Sequence, residues 1–269
     1  MERVIRPGGE QQLTGGFLTN SVTRNGDTVR RSPGPWSPAV HAWLAHLDKL
    51  QARVAPSPIE LDVANRVETL SYLHGAVPSG GASPPYLWRE DTLKAVAHLI
   101  RHFHDASADF TVPPAAGWQP TGAYPGGGDV ICHNDLAPWN TVFVQEQPVG
   151  FIDWDLAAPG PRLWDVAFAL WHFTPLYGDP SSDPFDVAVF EPRARRVRVF
   201  CDAYGLADRD QVVDMIIKRQ SAASAAIERG AQAGDPAYQR LWELGARDGI
   251  QRQIRYVEQH REDLEQALV

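Results

Sequence analysis

Cysteine is nearly absent from this chain: of 269 residues only Cys132 and Cys201 carry a thiol. Two cysteines without metal-binding spacing fit a reducing compartment, and Cys132, which follows Val130 and Ile131, reads as a buried thiol on an apolar strand. No apolar run reaches membrane-spanning length, and the opening MERVIRPGGEQQ has no hydrophobic core of a signal peptide. A cytoplasmic protein with no membrane partner is expected. Positive charge is also in deficit, with a net charge of -8. That balance argues against a nucleic-acid partner, which calls for a basic surface, and suits a cationic small molecule or plain solubility. No internal repeat is apparent. What remains is a chain of ordinary globular composition, long enough for one large or two modest domains.

The most informative stretch is Asp129 to Asp155, DVICHNDLAPWNTVFVQEQPVGFIDWD. An apolar run, Val130 to Cys132, leads into a segment where Pro138 removes an amide donor and biases Ala137 away from helix, so His133, Asp135 and Asn140 sit on a loop. Two β-prone runs follow, Thr141 to Val144 and Val149 to Ile152, about a polar turn; they predict a hairpin. Its open ends bring Asn140 and Asp153 together. One amide oxygen and one carboxylate suit Mg²⁺, which takes its other ligands from water and phosphate. Asp135, five residues before Asn140, is placed to accept the proton of an attacking hydroxyl. The three together form a phosphoryl-transfer constellation.

His133-Asn134-Asp135-Leu136 with Asn140 resembles the H-x-D-L-x-x-x-N loop of the protein-kinase superfamily, with Asp153 at the place of the D-F-G aspartate. CHNDLAPWN, GFIDWD and PRLWDVA are most similar to the aminoglycoside phosphotransferase and choline-kinase branch. The resemblance implies a two-lobed α+β fold, with an antiparallel-sheet nucleotide-binding lobe over residues 1–73. A mostly helical lobe over 74–269 would hold the catalytic loop and the acceptor site. It implies Asp135 as catalytic base, Asn140 and Asp153 on Mg²⁺, and His133 and Asp165 as supports, Asp165 also reading as an N-cap. Asp155, where protein kinases have glycine, adds a carboxylate for a second metal, a substrate ammonium or a turn. Gly15 to Ser21 takes the place of the phosphate loop, with Asn20 and Ser21 toward the nucleotide. Backbone groups from Ser71 to Leu73 would meet adenine.

Against that family pattern two residues are missing. The strand that normally carries a phosphate-binding lysine offers Arg30 and Arg31, and Lys49, Lys94 and Lys218 fall elsewhere. Arg30 is the first choice because Val29 precedes it, with Arg31 on the opposite face. The helix predicted over Ala39 to Leu50 has no glutamate to pair with that cation, only His41 and Asp48. Strands are predicted over Ile59 to Val63 and Val67 to Leu73, and a helix over Tyr86 to Ala106. His98 and His102 on that helix lack the glutamate of a zinc-protease motif. Arg193, Arg195, Arg196 and Arg198 read as a phosphate patch or a wet helix face. Gly230 to Gly234 divides the tail into two helices.

The implied activity is transfer of the ATP γ-phosphoryl group to a hydroxyl of a small polar molecule, an aminoglycoside or similar amino sugar being favoured. Two alternatives stand beside it. One is a non-catalytic kinase-like binding protein; the other is a kinase for choline, homoserine or a sugar.

Overall fold

The computed structural model describes residues 11–13, 22–78, 84–113, 117–177 and 193–269. The phosphate-loop positions Asn20 and Ser21 lie outside the described residues.

The N-terminal part is an antiparallel sheet. Its strands β1 (Gln11–Leu13), β2 (Val22–Asn25) and β3 (Thr28–Arg31) precede helix α1 (Ser37–Lys49), and β4 (Pro58–Asp62) and β5 (Val67–Ser71) follow it. The spatial order is β1-β2-β3-β5-β4, so β3 and β5 are neighbours although a helix and a strand separate them in sequence. Gly26 closes the β2–β3 turn at φ 60, the conformation for which an Asn-Gly pair is suited. Proline in its first turn opens α1, whose Val40, Trp43, Leu44 and Leu47 recur at helical spacing and are buried.

Beyond β5 the chain passes Leu73 and His74 to Ala76, which exchanges two 2.8 Å backbone hydrogen bonds with Phe143. Gly75 makes that approach possible, since a Cβ there would stand 2.5 Å from the Phe143 carbonyl oxygen. The remainder is mostly helical: α2 (Glu90–Ala106), the short strands β6 (Val130–Cys132), β7 (Thr141–Val144), β8 (Gln147–Phe151) and β9 (Ala158–Gly160), then α3 (Arg162–Phe173), α4 (Arg193–Tyr204), α5 (Val212–Gln232), α6 (Pro236–Glu243), α7 (Ala246–Gln259) and α8 (Arg261–Leu268). β7 pairs with β8 as the predicted hairpin, and β6 pairs with β9. One apolar core runs from α1 through the hairpin end to α2, α3, α4 and α5. No helix among the described residues is long and apolar enough to cross a membrane.

One expectation fails here and another holds in part. The tail is not two helices: α5 continues through Gly230, and breaks follow at Gly234 (φ 80), Gly245 (φ 72) and His260. The α4 arginines form no phosphate patch, and the wet-face reading holds only for Arg195 and Arg198, which are exposed. Arg196 is buried and donates to the Trp88 and Phe173 carbonyls, while Arg193 donates to the Pro175 carbonyl and Arg195 to Glu90.

Candidate active site

The loop after β6 is fixed from beneath by Asp165, on the first turn of α3. Its carboxylate oxygens accept the backbone N–H of His133 at 2.6 Å and of Asn134 at 2.7 Å. The expected N-cap role is not what the structure has, because Pro161 caps α3 and Asp165 lies inside the helix with its side chain fully buried. His104 of α2 stands 3.2 Å from Asp165 Oδ2 and 2.8 Å from the Tyr204 hydroxyl. These residues, with Cys132, cluster closely. Asp165 is engaged by backbone amides, however, and burial followed by the Asp165 charge pushes the Cys132 thiol well up, so the cluster is a hydrogen-bond junction. His98 and His102 are exposed on the far side of α2.

His133 is buried, and burial lowers its pKa, favouring the neutral ring. The bonding pattern assigns the tautomer: Nε2–H donates to the Ile152 carbonyl at 3.0 Å, and Nδ1 accepts the Asp135 N–H at 3.3 Å. A neutral imidazole therefore ties the loop to the strand that ends at Asp153. Asn134 adopts φ 68, a left-handed conformation that asparagine tolerates.

Asn140 and Asp153 lie beside each other at the end of the hairpin. The Ile152 N–H donates to the Asn140 carbonyl at 2.9 Å, extending the hairpin register by one step toward Asp153. Asn140 Nδ2 donates to the Asp135 carbonyl at 2.9 Å and to Asp135 Oδ2 at 2.7 Å. With its amide nitrogen so engaged, Asn140 presents Oδ1 as its free ligand atom. Asp153 turns the chain at φ 64, and its side chain is 35% exposed. Trp154, just beyond, is buried among Trp43 of α1, Phe103 of α2 and His133, and anchors that turn.

Charge is the site's dominant feature. Arg31 Nε donates to Glu68 Oε2 at 2.5 Å, its Nη2 donates to Asp155, and its Nη1 lies 3.6 Å from Asp153. Asp155 is therefore drawn into the site by Arg31. Glu68 Oε1 in turn lies 2.9 Å from His41 Nε2 on α1. Burial opposes the charge on Arg31, but Asp155, Glu68 and Asp153 outweigh it and hold the guanidinium above its ordinary range. Asp153 is the loser in this crowding. Burial first, then repulsion by Asp155, pushes its carboxyl up to about 7 despite Arg31. Burial also raises the Asp135 carboxyl, against His133 and the Asn140 hydrogen bond.

Arg31, not Arg30, is thus the strand cation of the site. Alternation along β3 puts the two on opposite faces, and the register pairs Arg31 with Glu68 while Arg30, opposite Thr69, is exposed. Glu68 supplies the carboxylate that α1 lacks; Asp48 of α1 instead accepts the Ser57 hydroxyl at the surface. The amide and hydroxyl of Ser71 are both taken by the backbone of Ser57, leaving Leu73 at the exit of β5. Sequence reasoning missed Glu68 and also Arg219 of α5. The latter is buried, donates to the Asn134 carbonyl at 2.6 Å and lies over the Trp164 and Phe168 rings. A lone acid in the apolar strand VETLS was the only local signal for Glu68.

The raised Asp153 carboxyl has a measurable consequence. The folded chain keeps a proton on Asp153 that the unfolded chain has already released, so stability falls as pH rises from the ordinary aspartate range to about 7. Asp153→Asn removes that penalty. In scanning calorimetry with EDTA at about pH 8 the variant is expected to melt above the wild type, by about 2–4 °C once solvent screening of a one-third-exposed group is allowed for. A variant that melts lower would contradict the crowding.

A model of the phosphotransferase enzyme family matches residues 115–212, the segment that contains the loop and Asp153. The trifolitoxin immunity protein of Rhizobium leguminosarum bv. trifolii is 34% identical over 267 residues, which span 95% of this chain and 97% of that protein. Among solved structures, a choline/ethanolamine kinase family protein from Mesorhizobium loti is similar with a TM-score of 0.54 at 18% identity, over 93% of this chain and 92% of that one. The GDP complex of aminoglycoside 2'-phosphotransferase-IIIa is similar with a TM-score of 0.58 at 16% identity, over 98% and 94%. The structural likenesses carry the fold, a small antiparallel-sheet lobe on a mostly helical one. The chain belongs to the phosphotransferase enzyme family and is related over nearly its whole length to the trifolitoxin immunity protein.

Proposed function

We propose that the chain moves the γ-phosphoryl group of ATP to a hydroxyl of a small polar molecule in the cytoplasm, with an amino sugar or similar antibiotic as the favoured acceptor. The observation that supports this is that Asn140 is hydrogen-bonded both to Asp135 and to the strand that ends at Asp153, with Asp165 fixing the loop. The name of the 34% identical relative is that of an immunity protein against a toxin, which favours an antibiotic-like acceptor over choline, homoserine or a common sugar. One fold neighbour was solved with GDP, so GTP is tested beside ATP as donor.

The residues fit Mg²⁺. Asp135, Asp153, Asp155 and Glu68 share one field with Arg31 as the strand cation, and the raised Asp153 carboxyl marks a donor set short of positive charge. Asn140 Oδ1 and the Asp153 carboxylate would hold the ion, and the ion would neutralise the phosphate oxygens. Asp135, held by Asn140 Nδ2, orients the acceptor hydroxyl and takes its proton as the oxygen bonds to the γ-phosphorus and the bond to the β–γ bridging oxygen breaks, releasing ADP. Residues 1–73 serve as the nucleotide lobe, with Leu73 toward adenine, and 74–269 as the acceptor lobe.

The experiment is nucleotide consumption with Mg·ATP and Mg·GTP against a panel of amino sugars, amino alcohols and sugars, with the product identified by mass. Turnover is expected with an amino sugar. A wild-type protein that binds neither nucleotide in calorimetry and phosphorylates nothing would instead be a non-catalytic binding protein.

A further inference from the structure

The guanidinium of Arg31 has three edges, and the described neighbours treat them differently. Nε is committed to Glu68, a carboxylate 1% exposed whose other oxygen faces His41 of α1. Nη2 is taken by Asp155. Nη1 lies 3.6 Å from Asp153, beyond hydrogen-bond length. A phosphate binds arginine best through two parallel N–H donors. With Nε already bonded to a buried acid, the fork left for a phosphate is Nη1 and Nη2. Asp155 holds half of it.

Resting on the kinase reading above, we propose that Asp155 is a resident competitor for the nucleotide phosphate: phosphate binding is an exchange in which the Arg31 Nη2 leaves Asp155 and joins the nucleotide, while Glu68 keeps the guanidinium aimed. Two features support the division of roles. Glu68 is anchored on both sides, by the strand pair Arg31↔Glu68 and by His41, and so acts as the fixed support. Asp155 has a side chain 20% exposed, against 1% for Glu68, and sits in the short turn Trp154–Leu156. The arrangement also explains how α1 serves the site without a glutamate. The helix reaches the strand cation through His41 and Glu68, and Glu68 is the positioning residue.

The test is calorimetric binding of ADP in EDTA, which reports the arginine–phosphate contact without a metal. Asp155→Asn is expected to tighten ADP about tenfold, by removing a charge-assisted rival. Arg31→Met is expected to weaken it roughly 10–100-fold, and Glu68→Gln by about tenfold. The discriminating measurement is the double variant Arg31→Met/Asp155→Asn. Competition for Arg31 predicts that the Asp155→Asn gain disappears in that background, whereas a general field of negative charge predicts that it persists. Persistence, or an Asp155→Asn affinity equal to that of the wild type, would overturn the exchange. A wild type that binds neither ADP nor Mg·ATP would overturn the kinase reading itself. Asp155 is partly exposed, so its variant tests the idea even where the buried Glu68→Gln change disturbs folding.

Discussion

Asp135→Asn is expected to lower kcat roughly 10³-fold, the range lost when a positioned general base is removed, while the Kd of Mg·ATP changes by less than about threefold. The substitution keeps an oxygen where Asn140 Nδ2 donates at 2.7 Å, so the loop and the ligand face of Asn140 are preserved. Only the charge and the basicity go. Asp135→Ala, which also deletes that hydrogen bond, should add a loss in nucleotide affinity through a freed Asn140. The contrast between the two variants separates base chemistry from positioning, with single-turnover phosphoryl transfer and calorimetry as the readouts. In the wild type the base works deprotonated, and burial raises its carboxyl. The acid limb of the kcat/KM profile should accordingly stand above the ordinary aspartate range and lose its Asp135 component in Asp135→Asn, leaving that of Asp153. Full turnover in that variant would remove Asp135 from the chemistry.

What the sequence revealed about this site follows the reach of each interaction along the chain. The hairpin that joins Asn140 to Asp153 is local: two β-prone runs and a polar turn lie within a dozen residues, and the register follows from the turn. The choice between Arg30 and Arg31 was not local. Both strand faces look alike in TVRR, and only the pairing of β3 with β5, which comes 37 residues later, decides which arginine turns toward the acids. Glu68 was hidden for the same reason, since the carboxylate that meets Arg31 stands on a neighbouring strand and not on the helix to which the resemblance points. Arg219 reaches Asn134 across 85 residues and no periodicity announces it. Tail helices were undercounted because a glycine inside a helix and a glycine ending one look the same in sequence. Gly230 stays helical, with the Tyr238 ring filling the space over it, while Gly245 ends α6 in the left-handed conformation.

Asp165→Ala is expected to be the most damaging single change outside the reacting groups, lowering Tm by roughly 5–15 °C and phosphoryl transfer by more than ~10²-fold. Its two oxygens satisfy the N–H groups of His133 and Asn134, which are buried and have no other partner among the described residues. Orphaning a buried donor costs about 1–3 kcal/mol, so losing both partners costs about 2–6 kcal/mol. At about 2.5 °C per kcal/mol, inside the range of roughly 2–4 °C for a chain near this size, that cost gives the expected drop. Asn134 sits between two clamps, Asp165 on its N–H and Arg219 on its carbonyl, and together they hold its left-handed turn. Removing one clamp lets the peptide before Asp135 rotate, and Asp135 leaves the line of attack. Asp165→Asn is the sharper probe, because it retains volume and one acceptor while turning an amide donor toward a backbone donor. Both calorimetry and transfer at about 10 °C, below the shifted melt, should show the loss. A variant that melts early yet transfers phosphate at the wild-type rate in the cold would mean that the catalytic loop holds its shape without Asp165, and that Arg219 and His133 suffice to aim the base.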